Sequence, residues 1–106
     1  EAAKLGADAQ AAQDAGAFAV VLECIPSDIA AEISQRLTVP TIGIGAGKGC
    51  DGQVLVLHDL LGLTSGYVPS FVKQYANVKQ TVKAAVSQYC QDVADGTFPG
   101  PDQTLQ

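Results

Sequence analysis

The sequence lacks clustered basic residues. Six Lys and Arg are scattered among eleven Asp and Glu, and the formal net charge is −5 over 106 residues. A protein that binds a nucleic acid needs Lys and Arg grouped so that they neutralise phosphates. We therefore expect no nucleic-acid partner.

Long apolar runs are also missing. No stretch approaches the roughly 20 apolar residues of a transmembrane helix, although 47% of the residues are hydrophobic. The N-terminal EAAKLGADAQ has neither the cationic start nor the apolar centre of a secretion signal. We expect a cytoplasmic protein with no membrane partner, whose length supports one compact core.

Paired cysteines are absent as well. Cys24, Cys50 and Cys90 are odd in number and far apart, and no C-x-x-C pair occurs. This spacing fits neither a disulfide framework nor a zinc site. We expect reduced thiols, with Cys24 and Cys90 acting as small buried hydrophobic side chains.

The sequence does contain alternating helical and strand-like segments. The residues before Gly16 are rich in Ala and Gln, which predicts a helix that ends where glycine allows a left-handed turn. Residues 17–23, AFAVVLE, form an apolar run typical of a strand buried on both faces of a parallel sheet. PTIGIGAG and DGQVLVLHD predict a second and a third strand.

Two more helices are predicted by apolar residues that recur at helical spacing. Ser27 is the expected N-cap of the first, which presents Ile29, Ile33 and Leu37 on one face and stops before Pro40. The second is a long helix that ends at Gly96. Its apolar stripe consists of Val78, Val82, Ala85, Tyr89 and Val93.

This order of elements predicts an α/β fold. Strands that alternate with helices at this spacing indicate βαβ units and a parallel sheet, either doubly wound or closed into a barrel. The residue pattern leaves these two architectures open. A complete (β/α)8 barrel takes about 250 residues, so a chain of this length would supply only its last third or so.

Glu23 is the main candidate for chemistry, because a charged residue ends an apolar strand. Strand alternation puts Val21 and Glu23 on one face and Val20, Leu22 and Cys24 on the other. If the second face packs on helices, Glu23 lies on the inner side at the carboxyl end, where parallel α/β proteins place their sites and where a carboxylate can act as a general base. A solvated Glu that faces a loop is the alternative.

The second strand offers a candidate cavity. The same alternation puts Ile42 and Ile44 on one face and Thr41, Gly43 and Gly45 on the other. Small residues that face inward would leave room for a substrate close to the backbone. From these residues alone, however, we expect tight packing of the strand or a strained turn.

The Gly-rich loop fails two tests for nucleotide binding. Ile42 stands at the first Gly position of a phosphate-binding loop that would end at Gly47 and Lys48, and Gly49 replaces the required Ser or Thr. The G-x-G-x-x-G match that ends at Gly52 leads into the strand-like QVLVL instead of a helix.

His58 and Asp59, taken with Asp51, are a weaker candidate for a metal site or a catalytic pair. Adjacent strand residues point to opposite faces, and no further ligands occur at zinc-like spacing. A structural, hydrogen-bonded His58, or Asp59 as the cap of a short helix LLGL, is the expected use.

Three segments together resemble one known family. AGAFAVVLECIP, VPTIGIGAGKGCDGQVLVLHDLLGL and YVPSFVKQYANV, with the ending DGTFPGPDQT, are similar to the C-terminal part of ketopantoate hydroxymethyltransferases. The likeness runs from about Ala9 onward. It implies that residues 1–106 are a partial (β/α)8 barrel domain whose N-terminal half is absent.

The resemblance also implies an activity. The family transfers a hydroxymethyl group from 5,10-methylenetetrahydrofolate to 3-methyl-2-oxobutanoate, giving 2-dehydropantoate for pantothenate synthesis, and a magnesium ion holds the keto acid. The Glu of the family's VLE-C motif is the proton acceptor and falls on Glu23. Members form homo-oligomers, commonly decamers.

The same resemblance sets limits for this chain. The family's metal ligands and its substrate-binding Ser and Lys belong to the N-terminal half, so we expect no metal ligand here and no activity of the 106 residues alone. A start without Met inside an apparent helix indicates a partial sequence. The alternatives are another enolate-forming barrel of the phosphoenolpyruvate mutase and isocitrate lyase group, or a non-catalytic, self-associating α/β domain.

Overall fold

A computed structural model describes all 106 residues and contains four α-helices, three β-strands and one short 3-10 helix. In chain order these elements are α1 (Ala2–Asp14), β1 (Val20–Glu23), α2 (Ser27–Arg36), β2 (Thr41–Ile44), β3 (Gly52–Gln53), α3 (Leu57–Leu60), α4 (Val78–Asp95) and the 3-10 helix Pro101–Gln103. The chain divides into two compact units. The first comprises Glu1–Val56 and Pro69–Val72, and the second comprises Leu57–Val68 and Lys73–Gln106.

The first unit is built on a parallel sheet of three strands in the order β1-β2-β3. Helix α2 connects β1 to β2, as a βαβ unit requires. The predicted α/β class with a parallel sheet is confirmed. The sheet is open, so β1 and β3 each have one edge without a partner strand.

Helices α1 and α2 and one face of the sheet enclose the core. Leu22 of β1 and Ile33 of α2 are each only 3% exposed, and Ala30 is fully buried. Burial of one such leucine or isoleucine stabilises the fold by about 1.5–3 kcal/mol. The core cluster consists of Ala9, Leu22, Ala30, Ile33, Leu37 and Ala46.

Strand register decides which residues face this core. Val20 pairs with Thr41 and Leu22 with Gly43, so these four residues share the face that the helices cover. Thr41 and Gly43 therefore line no substrate cavity, and the tight packing expected for this strand is present. A Cβ atom on Gly43 would lie 3.0 Å from the Cys50 sulfur, so this glycine serves tight packing.

Three local predictions need correction. Ser27 is the first residue of α2, and Pro26 occupies the N-cap with an extended ψ of 137°. The third strand has two residues instead of the whole DGQVLVLHD segment. Val21 of β1 is 60% exposed, so this strand is covered on one face only.

The second unit is dominated by α4, the longest helix. It ends at Gly96, whose φ of 74° is left-handed as predicted. The apolar stripe of α4 is exposed: Val82, Tyr89 and Val93 each keep about half of their surface in solvent. Tyr89 packs edge-on against Phe98 with ring centroids 5.5 Å apart. Neither α4 nor any other helix of the chain is both long enough and apolar enough to cross a membrane.

Candidate functional site

Glu23 is the last residue of β1 and lies on the sheet face opposite the helices. Leu22 beside it is buried while Val21 and Glu23 are exposed, so the two-residue alternation predicted from the sequence is present. The Cα partner of Glu23 on the neighbouring strand is Ile44. The carboxylate therefore occupies the carboxyl end of a parallel sheet, on its uncovered face.

The chain changes direction immediately after Glu23. Cys24 has a φ of 54°, the only left-handed backbone at a residue other than glycine. Its amide still donates to the Ile44 carbonyl at 2.9 Å, which extends the pairing of β1 with β2 by one bond. A side chain in this conformation costs roughly 1–2 kcal/mol, so the turn after Glu23 stores local strain.

The cysteine predictions were wrong for two of the three residues. Cys24 and Cys90 are exposed, whereas Cys50 is half-buried. All three are free thiols. Cys24 is exposed because it lies in the turn beyond the strand, where the alternation of faces no longer applies.

A cavity of about 320 Å³ opens beside the carboxylate. Its walls are the turn from Glu23 to Pro26, the start of α1 and Ile29 of α2, so it lies on the helix side of the strand end. Glu23 takes part in neither of the ion pairs of the chain, which join Lys4 to Asp8 and Arg36 to Glu32 within helices. The carboxylate is thus available to a ligand.

A second and larger cavity, of about 550 Å³, lies at the same end of β1 and β2. Its lining consists of Ile25, Pro26, Ser27, Gly45, Gly47, Lys48, Gln53 and Phe71. The Gln53 amide is held by a 2.8 Å hydrogen bond to the Gly47 carbonyl. We call this space the Lys48 cavity.

The Gly-rich loop shapes the wall of the Lys48 cavity. Gly45 has a φ of 62°, and a Cβ atom there would lie 2.6 Å from the Phe71 ring. Gly47 has a φ of 77°, and its Cβ atom would lie 2.5 Å from that of Ser27. Of the small residues on this face, Gly45 lines a cavity, whereas Thr41 and Gly43 are buried in the packing of the strand.

Two residues of this cavity were not identified from the sequence as site residues. Lys48 was considered only as part of a phosphate-binding loop that the motif does not satisfy. Phe71 belongs to an irregular segment without periodicity, so no sequence signal brings it to Gly45.

The His58–Asp59 candidate forms no site. Both residues belong to α3 instead of a strand, and His58 is exposed. Asp59 caps no helix, since its carboxylate accepts a hydrogen bond from the Thr64 hydroxyl. Asp51 instead accepts hydrogen bonds from Thr41.

No group of three or more His, Cys, Asp and Glu side chains lies together in the chain. Magnesium is held by several oxygen ligands, usually carboxylates with waters or substrate oxygens. Glu23 alone does not make such a site. The residues of this chain therefore do not fit a magnesium ion by themselves.

Comparison with known proteins gives a consistent result. The family profile described as Ketopantoate hydroxymethyltransferase matches residues 1–101. A 3-methyl-2-oxobutanoate hydroxymethyltransferase from Halalkalibacterium halodurans is 58% identical over 104 residues, which are 98% of this chain and 37% of that protein. Proteins of the same name from Chloroflexus aurantiacus and Syntrophotalea carbinolica are each 55% identical, over 98% and 99% of this chain.

These matches cover 37% and 39% of the latter two relatives, so the chain spans well under half of their length. Within that span the similarity is continuous. The resemblance inferred from VLECIP, PTIGIGAG and DGQVLVLHDLLG is confirmed. Since the profile covers all but the last five residues, the chain belongs to the ketopantoate hydroxymethyltransferase family.

Proposed function

We propose that this chain is the part of a 3-methyl-2-oxobutanoate hydroxymethyltransferase that supplies its proton acceptor, Glu23. The observation that carries the proposal is the position of this carboxylate. It ends a parallel strand, at the carboxyl end of the sheet, and lies on the face that the helices leave uncovered. The named relatives, 55–58% identical to this chain, support the choice of reaction.

The chemistry requires a base at this position. The carbon next to the keto group of 3-methyl-2-oxobutanoate must lose a proton before it can form a new carbon–carbon bond. A carboxylate held within hydrogen-bond reach can accept that proton, and such general-base catalysis contributes about 10²- to 10⁴-fold to the rate. The methylene carbon of 5,10-methylenetetrahydrofolate then bonds to that carbon. Its two bonds to the folate nitrogens break, water supplies the hydroxyl oxygen, and 2-dehydropantoate and tetrahydrofolate are the products.

We further propose that the three parallel strands belong to a (β/α)8 barrel, with residues 1–106 forming part of that domain. The unpartnered edges of β1 and β3 and the uncovered face around Val21 and Glu23 support this proposal. In such a barrel the uncovered face becomes the interior. The magnesium ion implied by the resemblance would need ligands outside these residues.

The decisive variant is Glu23→Gln in the complete enzyme that contains this chain. Glutamine keeps the size of the side chain but cannot accept a proton. We expect turnover to fall about 10²- to 10⁴-fold, with the affinity for 3-methyl-2-oxobutanoate nearly unchanged. Product formation from the keto acid and 5,10-methylenetetrahydrofolate gives the first quantity, and calorimetric titration with the keto acid gives the second.

Glu32→Gln is the matched control, because Glu32 is an exposed glutamate of α2 that contacts only Arg36, at 3.6 Å. This variant should turn over normally. Equal rates for Glu23→Gln and Glu32→Gln would reject the role of Glu23. Failure of the unsubstituted enzyme to form 2-dehydropantoate would reject the reaction and favour another enolate-forming barrel enzyme.

We also propose that the complete enzyme is a cytoplasmic homo-oligomer. The exposed apolar stripe of α4 supports association, since large apolar patches on a protein surface mark interaction sites. Light scattering of the complete enzyme measures its mass directly. A monomer at micromolar concentration would contradict the oligomer.

A further inference from the structure

The Lys48 cavity has no role in the proton transfer proposed for Glu23, yet it begins beside that residue. Gly45, which lines it, follows the Cα partner of Glu23 on β2. Ile25, in the turn after β1, is two residues beyond Glu23 and lines both this cavity and the smaller one beside Glu23. A molecule bound in this space would therefore lie next to the keto acid.

The Lys48 cavity carries a positive charge, although the chain as a whole is acidic. Lys48 is the only charged residue among the eight that line it, although the chain carries eleven acidic residues against six basic ones. The Lys48 ammonium takes part in no ion pair, since both pairs of the chain involve other residues. An unpaired cation in an otherwise neutral cavity attracts an anionic group.

The remaining lining is largely apolar and includes one aromatic ring. Phe71 packs directly on the backbone of Gly45, and Ile25 and Pro26 complete the apolar wall. A volume of about 550 Å³ falls within the range of roughly 300–1,000 Å³ typical of small-molecule sites. The cavity thus suits a ligand with a flat aromatic part and a negatively charged end.

We propose that the Lys48 cavity binds the folate co-substrate, with Lys48 pairing a carboxylate of its glutamate tail and Phe71 contacting its aromatic p-aminobenzoyl ring. The inference rests on the proposed function. The donor must present its methylene carbon to the carbon that Glu23 deprotonates, so its site must adjoin that of the keto acid. The Lys48 cavity meets this requirement and matches the chemistry of the ligand at both ends.

The test is Lys48→Gln in the complete enzyme, assayed with two one-carbon donors. With 5,10-methylenetetrahydrofolate we expect the KM of the donor to rise about tenfold, the lower end for a hydrogen bond to a charged group, because Lys48 is exposed. The KM of the keto acid should stay unchanged. With 5,10-methylenetetrahydropteroate, which lacks the glutamate, the substitution should have no effect.

Lys48→Arg should restore most of the affinity, since it keeps the positive charge. Lys4→Gln is the matched control, because Lys4 is an exposed lysine of α1 that pairs with Asp8 outside the cavity. Phe71→Leu should weaken both donors to the same extent, because both carry the aromatic ring. Equilibrium titration with tetrahydrofolate measures these affinities without turnover.

The outcomes separate this inference from the proposed function. Normal turnover with an unchanged donor KM in Lys48→Gln would overturn the site and leave the reaction intact. An equal loss for both donors would overturn the pairing of Lys48 with a glutamate carboxylate. Tetrahydrofolate binding that depends on Lys48, in an enzyme that forms no 2-dehydropantoate, would support the site and overturn only the reaction.

Discussion

Thr41 joins three segments of the first unit through one fully buried side chain. Its hydroxyl lies 2.7 Å from that of Ser34 on α2 and accepts a 3.2 Å hydrogen bond from the Asp51 amide. Its own amide donates to the Asp51 carboxylate at 2.8 Å. A buried polar atom without partners is costly, so this network explains why a threonine is tolerated in the core.

We expect Thr41→Val to destabilise the protein by about 1–2 kcal/mol, although valine has nearly the same shape. The substitution leaves the Asp51 amide and the Ser34 hydroxyl without one partner each. Thr38→Val is the control, because Thr38 is exposed and its contact with Gln13 uses only the backbone amide. Urea unfolding of the complete enzyme measures both, and equal stability of the two variants would contradict the role of this network.

At the level of single residues, the sequence predicted which residues of one strand share a face. It did not predict which face of β2 lies on the same side of the sheet as a given face of β1. The two faces of β1 were assigned correctly, and Glu23 lies where that alternation puts it. The faces of β2 were assigned to the wrong sides, because only the pairing of Leu22 with Gly43 relates the two strands. Phe71 could not be predicted, since its contact with Gly45 bridges 26 positions of sequence without a periodic signal.

Among the elements, the C-terminal ends of α1 and α4 were predicted best. Gly16 and Gly96 both adopt the left-handed backbone expected after α1 and α4. The third strand was overestimated, because an apolar run becomes a strand only where a partner offers hydrogen bonds. The Val54 amide still donates to the Gly43 carbonyl at 3.0 Å, but β2 ends at Ile44, where Gly45 has a φ of 62°, and no backbone hydrogen bond joins Leu55 or Val56 to it.

The end of α4 allows a prediction about an element. Gly96→Ala should lower the stability of the complete enzyme by about 1 kcal/mol, because its left-handed φ of 74° penalises a Cβ atom although no atom lies within 4 Å of it. Gly100→Ala, at an ordinary φ of −87°, is the control. Thermal unfolding compares them, and an equal melting temperature would show that backbone strain at Gly96 is negligible.

At the scale of the whole chain, several large apolar side chains are exposed to solvent. Phe18 is 90% exposed and Val21 60% exposed, both next to the free edge of β1. Unpaired strand edges with exposed apolar side chains favour pairing with another chain. Strand patterns alone could not decide between an open sheet and a closed barrel, because both have the same alternation along each strand.

A polypeptide of these 106 residues should therefore self-associate, and Val21→Lys should weaken this association about tenfold. The lysine adds charge to the sheet face that would otherwise be buried, and loss of a buried valine contact is worth at least this factor. Ala7→Lys adds the same charge at an exposed position of α1 and serves as the control. Sedimentation velocity at several concentrations measures both, and equal association constants would argue against the β1 surface.

The backbone hydrogen bonds between β1 and β2 hold the main chain at Glu23 in place. The backbone on either side of it is clamped, by the pairing with Ile44 and by the Cys24 amide, so the main chain cannot slide toward a bound molecule. Only rotation about the side-chain bonds adjusts the reach of the carboxyl oxygens. Each carbon–carbon bond in that side chain is about 1.5 Å long, so the length of the glutamate side chain, rather than backbone motion, sets how far its carboxylate reaches from the strand.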